Sequence, residues 1–366
     1  SNGKTTTKGM IEHVLSQHFK GRGSPESYNN AIGVPLSLLE VEVDDAFVVL
    51  EIGSNAPGEV AALSKLVSPT IGVITCIGEA HLEGLRTLHG VATEKGSLLD
   101  HLRPGGIAVI HDEALRNGLL QRPAKGGNGY TTVTFGASDD ADVWISEFDG
   151  DLDGIRFKIN GRHDAELRLA GKHSALNAAA AFAVCRRMKL EPEQIVSALA
   201  GFKAPPMRLN VWRSSRLTLI DDSYNANPCS ASAALEVLRS AGDGRKVFVA
   251  GDMLELGAEA PRLHQRLGCQ AAEAGIDVVV AIGGQRDAVI EGARLGKRPG
   301  KGPEKGPGRG RPGSPECGPE TIAYPDTEAA CHDLPNRLRG SDTVLIKGSR
   351  RLGLERLAQR LREAFA

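Results

Sequence analysis

Over the first 110 positions, continuous apolar runs alternate with helix-spaced apolar stripes. That rhythm predicts buried parallel strands with helices between them. Met10, Ile11, Val14 and Leu15 recur at helical spacing, and a polar loop at 24–30 leads into a short apolar helix at 36–39. Runs at 46–53, 70–78 and 106–110 read as strands, and 58–67 and 90–102 as helices. From 130 to 170 the pattern shortens to alternating runs at 131–135, 143–148, 154–159 and 165–169, which predict an antiparallel appendage. Helices follow at 171–188 and 192–200, then the linker Lys203-Ala204-Pro205-Pro206. The α/β rhythm then restarts. Runs at 217–220, 246–250, 278–282 and 344–346 end in Asp221-Asp222, Gly251-Asp252, Gly283-Gly284 and Lys347-Gly348-Ser349-Arg350. The expected fold class is α/β. A doubly wound domain with a small antiparallel appendage spans 1–204, and a second, Rossmann-like domain spans 205–366.

One stretch breaks the second rhythm. Residues 296–313 hold seven Gly and four Pro, with six basic side chains against one acidic. Such a composition cannot bury a core, so an insertion over 296–319 is expected to be disordered, a tolerated surface loop rather than a basic tether.

Composition narrows the class. Aromatics are only 4% of the 366 residues, so burial rests on Val, Leu, Ile and Ala, as in a sheet covered by helices. A net charge of −1 gives no argument for nucleic acid or an anionic membrane. No apolar run approaches the ~18 residues of a membrane span. Six scattered cysteines without a C-x-x-C pair fit a reducing compartment, and the expectation is a cytoplasmic monomer.

The chemistry begins at the first residues. Gly3-Lys4-Thr5 matches the end of a phosphate-binding loop, in which backbone amides approach phosphate oxygens, the lysine reaches the β/γ-phosphates and the hydroxyl holds Mg²⁺. Asn2 and Thr6 flank it. The helical pattern that follows puts this loop at a helix N-terminus, which favours anions. Glu51 and His81 follow strand runs, so they would share one carboxyl edge with the loop. Thr5, Glu51 and His81 could hold metal there, although Mg²⁺ prefers oxygen. Taken singly, Glu51 reads equally as a helix-capping carboxylate and His81 as a satisfied loop histidine. Lys95 reads by spacing as a snorkelling lysine. Arg208 could be a linker salt bridge, Asp222 a helix N-cap, and Asn227-Pro228 turn chemistry. His264 is expected to pack under 254–256.

Together these residues carry a resemblance. Gly3-Lys4-Thr5-Thr6, the run 29–35, Glu51-Ile52-Gly53-Ser54-Asn55, Ala80-His81-Leu82-Glu83-Gly84 and Ala92-Thr93-Glu94-Lys95-Gly96 resemble the central domain of the Mur ligases. The runs 206–209, 221–228, 251–257 and 347–350 are similar to their C-terminal domain. The similarity is strongest to the branch that joins D-alanyl-D-alanine to UDP-muramoyl-tripeptide. It implies ATP-driven amide bond formation through an acyl phosphate. It implies Mg²⁺, as two ions, with Thr5, Glu51 and His81 as ligands, and carbamylation of Lys95 to give a further oxygen ligand. Lys4, His81 and Lys95 carry the catalytic roles. Asn177 matches a nucleotide contact, and Arg208 and Asp222 match residues that reach the phosphate and ribose. Tyr224, Asn225, Asn227, Ser349 and Arg350 are candidates near the substrate. A folylpolyglutamate-synthase-type ligase is expected to differ at 80–84 and 221–228, and a non-catalytic nucleotide-binding relative to have lost Lys4, Glu51, His81 or Lys95. The family's N-terminal domain and the strand before its phosphate loop have no counterpart in these 366 residues. The expectation is therefore a chain that by itself folds poorly or is inactive.

Overall fold

The computed structural model describes residues 1–121, 129–297 and 318–366. Most of the Gly/Pro-rich insertion, with the disorder expected of it, lies outside the described residues. The chain divides into two compact units, Ser1–Pro205 and Pro206–Ala366.

Unit 1 opens with α1 (Lys4–Leu15), β1 (Gly21–Gly23), α2 (Gly33–Leu39), β2 (Phe47–Val49), α3 (Glu59–Val67) and β3 (Ile71–Ile74). It continues through α4 (Leu82–Leu85), α5 (Leu88–Gly96), β4 (Ile107–His111) and α6 (Asp112–Arg116). Strands β5 (Thr131–Gly136), β6 (Val143–Gly150), β7 (Ile155–Ile159) and β8 (His163–Leu167) precede α7 (Lys172–Arg187) and α8 (Pro192–Ala200). The strands form a six-stranded sheet in the order β3-β4-β5-β6-β7-β8 and a separate parallel pair, β1-β2. The alternating run at 131–135, expected within the appendage, instead pairs in parallel with β4 as β5. Only β6-β7-β8 are antiparallel, and they extend the same sheet.

Alanine makes the core of unit 1 possible. Residues Ala178–Ala181 of α7 are wholly buried. Short side chains let α7 lie close to α1 and the sheet, where Met10, Val14, Phe135 and Ile159 fill the layer between. A groove of about 490 Å³ runs along β2 and β3, floored by Ile11 and Leu15 of α1 and by Leu98. Both strands end their sheets, β2 pairing with β1 and β3 with β4.

Unit 2 consists of β9 (Asn210–Arg213), β10 (Leu217–Asp222), α9 (Pro228–Ser240), β11 (Lys246–Gly251), α10 (Ala260–Glu273), β12 (Val278–Ile282), α11 (Arg286–Leu295), β13 (Glu320–Tyr324), α12 (Thr327–Arg337), β14 (Asp342–Lys347) and α13 (Glu355–Phe365). The sheet order is β13-β12-β11-β14-β10-β9, parallel apart from β9. All five residues of β12 are buried, which is why this strand reads as an unbroken apolar run. Helices α10 and α11 cross at glycine. A Cβ on Gly268 would lie 2.0 Å from the Val289 carbonyl oxygen, and one on Gly292 1.9 Å from that of Gln265. His264 is fully buried here, accepting from the Met253 amide at Nε2 (2.8 Å) and bonded through Nδ1 to the Ala260 carbonyl (2.7 Å).

Candidate active site

The phosphate loop is set by Gly3, whose φ of 77° lies in the left-handed region and starts α1 at Lys4. The first amides of any helix lack partners inside it, so they point out of the N-terminus. Two residues upstream are fastened to the exit of β3. The Ser1 nitrogen donates to the Cys76 carbonyl (2.6 Å), Ser1 Oγ to that of Gly78 (3.0 Å), and Thr75 Oγ1 to that of Asn2 (2.6 Å). Lys4 Nζ folds back on the Ser1 carbonyl at 3.3 Å. Asn177 of α7 lies against the loop: its Oδ1 accepts from Thr7 Oγ1 (3.3 Å) and sits 2.3 Å from where a Cβ on Gly3 would be.

The loop meets Glu51, just beyond β2. Thr5 Oγ1 donates to Glu51 Oε2 at 2.6 Å, and Asn29 Nδ2 donates to Oε1 at 2.8 Å. Glu51 is buried, so both oxygens have fixed directions. Asn29 belongs to the run 29–35 that carries the resemblance, but the sequence assigns it no role; its bond to Glu51 does. Asn30 Oδ1 accepts from the Ile32 and Gly33 amides and starts α2, while buried Lys8 donates to the Ser24 and Glu26 carbonyls. These bonds hold the loop that presents Asn29.

Lys95 is buried on α5, contrary to the snorkelling reading. Its Nζ donates to Ser54 Oγ (2.6 Å) and to the Ser54 carbonyl (3.3 Å). Burial, and then the charge of Lys4, bring its pKa down to about 8. Neighbouring Glu94 turns away and accepts from the Gly58 and Val60 amides at the start of α3. Lys4, Glu51 and Lys95 all line the groove between β2 and β3.

His81 sits at the head of α4 with a left-handed φ of 55°. Among the described residues, the one group of three or more acidic, His or Cys side chains close enough to share an ion is Glu42, Asp44 and Asp45. Lys20 and Arg22 already form ion pairs with that group. The Thr5–Glu51 pair brings together a hydroxyl and a carboxylate oxygen, donor types that suit Mg²⁺.

In unit 2, candidate residues gather where β10 and β14 end. Arg208 lies over the Tyr224 ring, 4.1 Å from its centroid. Asp222 and Lys347 are register partners on adjacent strands, and Lys347 Nζ contacts Asp222 Oδ2 at 2.5 Å and the Asn225 carbonyl at 3.0 Å. Asp221, one residue earlier, turns to the other face and pairs with Arg362 at 2.8 Å. The Asn227 side chain accepts from the Ser230 amide as the N-cap of α9, the structural use its Asn-Pro sequence allowed. Ser349 Oγ accepts from the Leu254 amide (2.9 Å), and Arg350 pairs with Glu355 (3.1 Å). Lys347 lies in the run 347–350 that carries the resemblance, but no role follows for it from the sequence; its contact with Asp222 across two strands supplies one.

Residues 1–185 match the Mur ligase middle domain, and residues 207–350 match the Mur ligase glutamate ligase domain. The chain belongs to the Mur ligase family. The UDP-N-acetylmuramoyl-tripeptide–D-alanyl-D-alanine ligase of Bacillus subtilis is 36% identical over 299 residues, 80% of this chain and 63% of the relative. The enzyme of the same name from Escherichia coli is 34% identical over 301 residues, covering 81% and 66%. A crystal structure of MurF from Acinetobacter baumannii superposes with a TM-score of 0.85 at 30% identity, over 99% of this chain and 75% of that one. This Mur ligase family chain thus spans less than two thirds of the length of these two curated relatives.

Proposed function

We propose that this chain carries the ATP-dependent ligase core that joins D-alanyl-D-alanine to UDP-N-acetylmuramoyl-tripeptide, as its B. subtilis and E. coli relatives are named to do. The observation that carries the reading is the Thr5–Glu51 bond at the head of α1, beside Lys4 and a buried Lys95. In this reading the amides of α1 and Lys4 hold the β- and γ-phosphates of ATP, and the tripeptide carboxylate attacks the γ-phosphorus to give an acyl phosphate and ADP. The amine of D-alanyl-D-alanine then attacks the acyl carbon. An amide bond forms, phosphate leaves, and the amine proton goes to solvent.

Thr5 and Glu51 would hold Mg²⁺, which supplies positive charge against the phosphate oxygens when bound. Asn29 keeps Glu51 aimed, and His81 is assigned to a second ion. Lys95 is proposed as a carbamate. Its lowered pKa leaves about one lysine in five neutral at pH 7.4, against about one in a thousand for an ordinary lysine, and the neutral amine is the form that adds CO₂ with loss of a proton. Within unit 1, Asn177 is proposed as a further nucleotide contact; within unit 2, Arg208 and Asp222 are proposed as contacts to phosphate and ribose. Tyr224 and Asn225 are proposed to lie near the dipeptide. Work in the cytoplasm as a monomer completes the proposal; among the described residues no helix is long and apolar enough to cross a membrane.

The test is phosphate release from ATP with each substrate alone and with both. Release that requires UDP-N-acetylmuramoyl-tripeptide and D-alanyl-D-alanine together supports the ligase. ATP turnover indifferent to both would refute it.

A further inference from the structure

We propose that Lys347 is a positioning residue for nucleotide binding, its ammonium locking the Asp222 carboxylate and the Asn225 carbonyl so that the loop 222–227 presents one conformation to the ribose. The inference deepens the functional reading above and rests on Asp222 as a nucleotide contact. Lys347 is 4% exposed and Asp222 14%, so the pair is shielded from competing water. Being register partners on parallel neighbours, the two side chains leave the sheet on one face. One ammonium therefore ties the end of β14 to the end of β10 and, through Asn225, to the turn beyond it. The other side of that turn is held by Arg208 over Tyr224 and by the Tyr224 amide on the Met207 carbonyl at 3.2 Å.

The charged groups acting on Asp222 are Lys347 and Arg208, with the Leu209 backbone as a further hydrogen-bond partner. Burial pushes the Asp222 carboxyl upward and these groups oppose it. Without Lys347, Asp222 would take up a proton as the pH falls and lose its value as an acceptor for a ribose hydroxyl.

The experiment is ATP affinity by calorimetry at pH 6.0 and 8.0 for the full chain and for Lys347→Met, Lys347→Arg, Asp222→Asn and the Asp222→Asn/Lys347→Met double variant. Lys347→Met should bind ATP at least about tenfold more weakly, with a larger loss at pH 6.0 than at 8.0. Lys347→Arg should recover part of the affinity and the flat profile. In the Asp222→Asn background, Lys347→Met should cost clearly less than in wild type, because only the Asn225 carbonyl contact is left to lose. The proposal is overturned if Asp222→Asn weakens binding while Lys347→Met keeps wild-type affinity at both pH values, or if the two losses simply multiply. Unchanged affinity in Asp222→Asn would overturn the reading of Asp222 itself, and this inference with it. Should Lys347→Met alone not fold, the double variant, which buries no unpaired charge, is compared with Asp222→Asn, and a further loss of about tenfold or more there overturns the proposal.

Discussion

Gly3→Ala is the sharpest probe of the phosphate loop. The residue sits at φ 77°, where a Cβ costs about 1–2 kcal/mol. The added methyl would also lie 2.3 Å from Asn177 Oδ1, so Asn177 must swing aside and forfeit its bond with Thr7, worth about 1 kcal/mol. The free chain can relax by letting the loop open, but the phosphate-binding form cannot. The total of about 2–3 kcal/mol therefore falls on binding and predicts a loss of about 30- to 150-fold in ATP affinity. Calorimetric titration with ATP reads this directly, and thermal melting checks that the fold survives. An affinity for Gly3→Ala within twofold of wild type would show that the loop does not bind phosphate in this conformation.

Glu51→Gln should raise the Mg²⁺ concentration needed for half-maximal nucleotide binding by about tenfold, since an amide replaces the charged oxygen donor. Magnesium titrations monitored by ADP fluorescence would show it, and an unchanged midpoint would remove Glu51 from the ion site. With ¹³C-bicarbonate, a carbamate carbon resonance should grow from pH 7 to 9 as Lys95, with its pKa near 8, loses its proton. Lys95→Arg should abolish the signal. Burial pushes the His264 imidazole below its ordinary value, so the unfolded state binds the proton more tightly. Its stabilisation is fully present above about pH 6.5 and is lost as the pH falls through the folded pKa. Melting curves from pH 7.5 to 5 should slope downward in wild type and less steeply in His264→Gln.

Much of this architecture is written in local pattern. The buried strands read as apolar runs because both faces are covered, and the strand ends read as sites because they carry Glu51, Asp222 and the glycines. The elements that escaped did so for physical reasons. Strand β1 is Gly-Arg-Gly, a composition that suggests a turn. It becomes a strand because a side chain on Gly21 would collide with Phe47 at 2.5 Å, and because Glu12 Oε1 accepts from the Gly23 amide at 2.8 Å. Strand β13 follows the Gly/Pro-rich insertion, which hides its short alternation, and β9 is an edge with only half-buried or exposed residues. At the site, the residue types that do chemistry are legible, and their supports lie in the runs that carry the resemblance, but what each support touches is not legible. Asn29, Ser54 and Lys347 act through contacts to residues 22, 41 and 125 positions away, and no local pattern encodes such partners.

Because β10 sends its last two side chains to opposite faces, one Asp-Asp dipeptide serves two masters. Asp221 is tied to the scaffold through Arg362 and Asp222 to the ligand side through Lys347. A codon library over these two positions should show stability lost without loss of binding at Asp221, and binding lost beyond what stability explains at Asp222. That makes the dipeptide an internal calibrant for any selection on this chain, telling damage to the frame from damage to the task.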